Sequence, residues 1–203
     1  MKRIDCLRAL AEVAGDALVV TSAGANGVEW NACRPSDGNI RCRTLGLTCS
    51  IALGIALGLP TRKVIALDGD GSLLMNLCAL PTIANKNPPN LLHVVFDNEA
   101  YESSGEIKTA TSFGTDLVGM ARSAGIKNAV LAQTVEEFRK AASEALKGNV
   151  LTLIGAKIEL ARAEVPPYPR DEVENKYRFI RHVEKTEGIQ ILKMPMPASF
   201  QKS

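Results

Sequence analysis

Residues 63–75 read KVIALDGDGSLLM, and the order of residue types in this stretch decides the fold. The apolar run at 63–68 is short and β-rich, so it reads as a buried strand. The small residues after it mark a turn, and the apolar residues that follow suit a helix over 72–85. Glycines provide the turn, but they do not account for the aspartate held between them, at the end of the strand and facing the helix start. Further on, LLHVVFD at 91–97 reads as a second strand, followed directly by Asn98. A strand, a helix and a second strand within this length form a βαβ unit, which brings both strand ends to one edge of a sheet. Asp70 and Asn98 therefore offer two oxygen donors to one crevice. A hard cation such as Mg²⁺ takes oxygen ligands from one or two such groups together with phosphate oxygens. Those phosphates would meet free N–H groups where the helix opens at Ser72, with Gly69 and Gly71 allowing close approach. A glycine-flanked aspartate is also an ordinary turn, and an asparagine at a strand end is an ordinary cap.

The same alternation extends in both directions. Ile4, Leu7, Leu10, Ala11 and Ala14 follow helical spacing up to Gly15, and ALVVT at 17–21 is strand-like. TLGLTCSIALGIALGL, from Thr44, suits a helix packed on several sides; Pro60, Arg62 and Lys63 end it too early for a membrane span. After the loop ESSGEIKTATSFGTD come a helix near 116–124, a strand at NAVLA, a helix near 135–147 and a strand at VLTLIGAKI. Strands alternating with helices predict an α/β domain over residues 1–162, with a central parallel sheet covered on both faces and ligands at the strands' carboxyl ends. From residue 163 to 203 the composition changes, with Pro166, Pro167, Pro169, Pro195 and Pro197 in that stretch. It reads as a C-terminal extension with one helix at about 170–187, whose apolar face is Tyr177, Phe179, Ile180 and Val183.

Composition narrows the function classes. The 203 residues are 46% hydrophobic and 23% charged, with a formal net charge of +2, which points to no nucleic-acid partner. Cys6, Cys33, Cys42, Cys49 and Cys78 are odd in number and lack Cys-x-x-Cys spacing, so they read as reduced, mostly buried thiols of a cytoplasmic protein. The charges at Asp5, Arg8, Glu12 and Asp16 interrupt the N-terminal segment, which is not a signal peptide. No apolar run is long enough to predict a membrane span.

GDGS, the 24 residues Leu73 to Phe96, and then DN, each at the end of a buried strand, resemble the motif of thiamine diphosphate enzymes. The chain is similar to the diphosphate-binding (PP) module of that family, a three-layer α/β/α fold, over roughly residues 17–155. The resemblance implies thiamine diphosphate and Mg²⁺ as cofactors. Asp70, the side-chain oxygen of Asn98 and the carbonyl of Ala100 would bind the metal, with Gly69, Gly71 and Ser72 at the diphosphate. RTLGLTCSIALGIALGL would place Leu45 as the apolar wedge beneath the cofactor, with backbone groups of Arg43 and Leu45 at its pyrimidine; by periodicity alone Leu45 is core. The family also uses a glutamate on a separate (PYR) module. This chain is too short to hold both modules, so a PYR-domain alpha subunit is the implied partner, and self-association through the PP module is also implied.

FDNEAYESSGEIKT and ENKYRFIRHVEKTEGI resemble the beta subunit of sulfopyruvate decarboxylase and the C-terminal part of phosphonopyruvate decarboxylase. Asn98, Tyr101, Ser103, Gly105 and Thr109 fit that pattern, and Tyr101 joins the expected cofactor contacts. The implied activity is decarboxylation of a 2-oxo acid, with an acetolactate synthase-like carboligase or a non-catalytic cofactor-binding relic as alternatives. Ile107 stands where the family has glutamine, Leu47 where a polar or small residue is common, and Val28 where an arginine is usual. Anionic-tail recognition would need charge-assisted donors, which Arg34, Arg41 and Arg43 could supply, although each taken singly reads first as a solvated surface residue. His93 reads as a hydrogen-bonded core residue, His182 has no assigned role, and Glu99 and Glu102 read as solvated, with proton transfer as the lesser alternative.

Overall fold

The computed structural model describes residues 1–168 and 171–192. Pro169, Pro195 and Pro197 of the extension, and residue 170 at its expected helix start, lie outside these. Six parallel strands form the central sheet: β1 (Leu18–Thr21), β2 (Asn39–Arg41), β3 (Val64–Gly69), β4 (Leu91–Asp97), β7 (Asn128–Ala132) and β8 (Thr152–Lys157), in the order β2-β1-β3-β4-β8-β7. A two-stranded antiparallel ribbon, β5 (Ala100–Tyr101) with β6 (Ile107–Lys108), projects beyond the end of β4.

Strand residues alternate between two apolar layers, as the pleat requires. Ile65, Leu67, Leu92, Val94 and Phe96 face α1 (Arg3–Ala11), α2 (Ala25–Cys33) and α7 (Val135–Lys147). Val64, Ala66, Leu91 and Val95 face α3 (Thr48–Gly58), α5 (Ala79–Lys86) and α6 (Leu117–Ser123). The result is the expected three-layer α/β/α arrangement. α7 shows why its sequence is helical: Thr134 and Glu137 form a reciprocal capping box, and Phe138, Ala142 and Ala145 make its buried face.

Four local expectations change. The single helix at 72–85 is two helices, α4 (Asp70–Leu74) and α5, joined by tight turns in which Met75, Asn76 and Ala79 donate three residues back. Pro81 explains the break, because in the first turn of α5 it needs no N–H donor, whereas in one continuous helix it would remove an interior bond. The first strand ends at Gly69, so Asp70 opens α4 rather than closing β3. Between the strand at 17–21 and the helix from Thr44, where the sequence pattern predicts no element, Ala25–Cys33 form α2, which leads to the three-residue strand β2. Finally, α8 (Glu172–Glu187) buries Phe179 and Val183 against Leu18, but Tyr177 of the expected apolar face is exposed.

Asn175 takes the buried place on that helix. Its side chain accepts from Arg41 N–H and donates to Arg41 C=O, imitating a neighbouring strand along the free edge of β2. Arg178 adds bonds to the carbonyls of Asp37 and Asn39, so α8 covers a sheet edge that would otherwise stay open.

Candidate active site

At the carboxyl ends of β1, β3 and β4 lies an open cleft of about 490 Å³. Its walls include Leu45, Gly69, Asp70, Gly71, Ser72, Asn98, Ala100 and Tyr101, brought together from three separate stretches of chain. Arg43 is exposed and is not among the lining residues.

Asp70 is the electrostatic centre of this cleft. It is only 2% exposed, and Thr109 donates to its Oδ2 at 2.6 Å. Thr111 lies 3.2 Å from the same oxygen and donates to Asp97 at 2.7 Å. Asp97 has the ammonium of Lys157 at 2.9 Å, whereas among the described residues Asp70 has no cationic partner. Burial, together with the nearby Asp97 charge, pushes the Asp70 carboxyl up to about 6 despite the hydroxyl donors. Asp70 is thus a buried carboxylate held, among the described residues, by neutral donors alone, an environment chemically suited to a divalent cation.

The loop around Leu45 is fixed from below. Gly46, at φ +83°, donates its N–H to Ser72 Oγ at 3.0 Å and accepts from Asn76 Nδ2 at 2.7 Å. Thus α4 and the turn after it hold half-buried Leu45 at the cleft wall. Gly71 lacks a side chain for a definite reason: a Cβ there would stand 2.5 Å from the ring of Tyr101. At Gly69 the nearest atoms would be 3.8 Å away, an ordinary contact.

A group of charges at the rim is absent from the sequence reading. Arg3, 4% exposed, pairs with Glu29 at 3.1 Å and Glu102 at 2.8 Å, and Arg162 pairs with Glu102 at 2.7 Å. Glu102 is therefore not solvated. Burial favours its neutral form, but the two guanidinium groups outweigh this and hold the carboxyl below its usual range. His93 also departs from expectation: it is fully buried, neither ring nitrogen has a hydrogen bond, and Nε2 lies 3.5 Å from the equally buried Asp68. Ile107 is exposed on β6 and Val28 half-buried on α2. All five cysteines are free thiols; Cys6, Cys42 and Cys49 are buried, while Cys33 is half-buried and Cys78 exposed.

Residues 31–156 match the family described as thiamine pyrophosphate enzyme, C-terminal TPP binding domain. The chain belongs to that family. The beta subunit of sulfopyruvate decarboxylase from Methanocaldococcus jannaschii is 35% identical over 192 residues, covering 91% of this chain and 98% of that subunit. The sulfopyruvate decarboxylase of Methanosarcina acetivorans is 34% identical over 180 residues, which cover 88% of this chain and 46% of that protein. The phosphonopyruvate decarboxylase of Streptomyces viridochromogenes is 32% identical, with 84% and 44% covered. The crystal structure of benzoylformate decarboxylase from Polynucleobacter necessarius superposes with a TM-score of 0.66 over 83% of this chain and 34% of that one; at 22% identity it establishes the fold alone. No helix among the described residues is long and apolar enough to cross a membrane.

Proposed function

We propose that this chain is the thiamine diphosphate- and Mg²⁺-binding subunit of a two-chain 2-oxo acid decarboxylase of the sulfopyruvate or phosphonopyruvate type. The observation that carries the reading is Asp70, a buried carboxylate with only hydroxyl donors among the described residues, at the strand-end cleft it shares with Asn98. Asp70, Asn98 and the carbonyl of Ala100 would hold Mg²⁺, and the backbone at Gly71 and Ser72 would receive the diphosphate. Leu45 supports the cofactor through apolar contact, and Tyr101 shields the diphosphate end from water. When bound, thiamine diphosphate supplies the carbon nucleophile and the electron sink that decarboxylation requires. The aminopyrimidine-activating glutamate belongs to a PYR-type partner chain, a division supported by the near full-length likeness to beta subunits and by coverage of under half of two other decarboxylases.

The test combines cofactor binding with complementation. Calorimetry of the chain with its PYR-type partner should show Mg²⁺-dependent binding of thiamine diphosphate, lost in Asp70→Ala. Unchanged affinity in that variant removes the metal assignment. CO₂ release from sulfopyruvate or phosphonopyruvate is expected only in the two-chain mixture, and robust turnover by the isolated chain overturns the division of labour.

A further inference from the structure

Asn98 presents a problem of orientation. A side-chain amide has two nearly isosteric ends, and only its oxygen can bind a cation. If the amide were turned over, an NH₂ group would face the metal and repel it. Something must therefore fix which end faces the cleft, and that requirement rests on the metal assignment proposed above.

The carboxylate of Glu102 meets it. Its Oε2 accepts from Asn98 Nδ2 at 3.1 Å and from Arg3 at 2.8 Å. Its Oε1 accepts from Arg3 at 3.1 Å and from Arg162 at 2.7 Å. A carboxylate has about four acceptor positions, and here all four are taken. Glu102 thus has no lone pair left for a cation. What it can do is accept from the amide nitrogen and refuse the amide oxygen, because an oxygen turned toward it would meet a carboxylate without an intervening proton. At the other end, Asn98 Oδ1 accepts one hydrogen bond, from Ala100 N–H at 3.2 Å. Its second lone pair remains available for a ligand.

We infer that Glu102, clamped by Arg3 and Arg162, is a positioning residue that locks the Asn98 amide with its oxygen toward the metal position. The clamp draws on α1 and on the segment following β8, so a bond to one side chain of the 98–102 turn is backed from two separate parts of the molecule. Arg3 is in turn oriented by Glu29, whose Oε1 also accepts from Ala163 N–H.

The experiment is a double-mutant cycle on Mg²⁺ affinity, measured by titrating Mg²⁺ into the full chain with its PYR-type partner and thiamine diphosphate. Glu102→Ala should weaken Mg²⁺ binding about 10- to 100-fold, the usual cost of losing a residue that orients a ligand. Glu102→Gln, which keeps an acceptor oxygen, should recover part of the loss. In an Asn98→Asp background the two side-chain ends are equivalent and both are anionic, so removing Glu102 should leave affinity unchanged or raise it. A merely structural role would give the same loss in both backgrounds, and that result overturns the inference, as does a Glu102→Ala variant that binds Mg²⁺ like wild type. Wild-type protein without Mg²⁺-dependent cofactor binding overturns the metal assignment and the inference with it.

Discussion

Asp70 carries a stability cost in the metal-free chain. Its carboxyl sits at about 6 in the folded chain against an ordinary value of 3.8, so the folded state holds the proton more tightly. Below about 3.8 both states are protonated and there is no penalty; as pH rises through about 6 the folded carboxyl must ionise in a buried site, and stability falls. Asp70→Asn should therefore raise the stability of the metal-free chain at pH 7, by on the order of 1–3 kcal/mol. Denaturant titrations should show that margin shrinking toward pH 4, and a margin independent of pH would count against the buried-charge account. The place of Asp70 could be read from sequence because two strand ends with polar tips carry local signals. The rim was not legible in the same way. Arg3 meets Glu102 from 99 residues away and Glu29 from 26, and no periodicity or turn signal records such a pairing. Glu102 looked solvated because its neighbours in sequence are polar, while its neighbours in space are two guanidinium groups.

At the level of elements, long apolar runs located the central strands well, and LLHVVFD and NAVLA coincide with β4 and β7. β2 escaped notice because three residues carry too little alternation to register, and α2 because its glycine-rich start reads as a loop. The terminal helix α8 was found by its apolar spacing, yet much of its attachment is polar. Asn175 is 3% exposed and satisfies both backbone groups of Arg41 on the edge strand. Asn175→Ala should cost about 1–3 kcal/mol, since two part-buried backbone groups of Arg41 lose their partner. Limited proteolysis is the sensitive readout: cleavage in the segment from residue 163 onward should accelerate more than cleavage elsewhere. Equal sensitivity throughout would mean that the apolar contact of Phe179 and Val183 is sufficient to hold the helix.

Across the whole molecule, exposed apolar side chains are scattered, and some of the most exposed lie on or beside elements next to the cleft. Met75 follows α4, Ile107 is 64% exposed on β6, and Phe113 is 78% exposed in the loop beyond it. Such side chains favour association, and the isolated chain should form species larger than a monomer in light scattering. Ile107→Lys with Phe113→Glu should shift the mass distribution downward, while an unaltered distribution would place the contact elsewhere. The opposite side of the sheet raises a question of timing. Synthesis proceeds from the amino end, and Asn175 emerges 134 residues after Arg41, the edge residue it covers. At about 5–20 residues per second, the nascent chain carries an uncovered β2 margin for roughly 7–27 s. The helix α8 is thus also the latch that closes the β2 edge of the sheet, and a chain halted before it would be released with that edge bare.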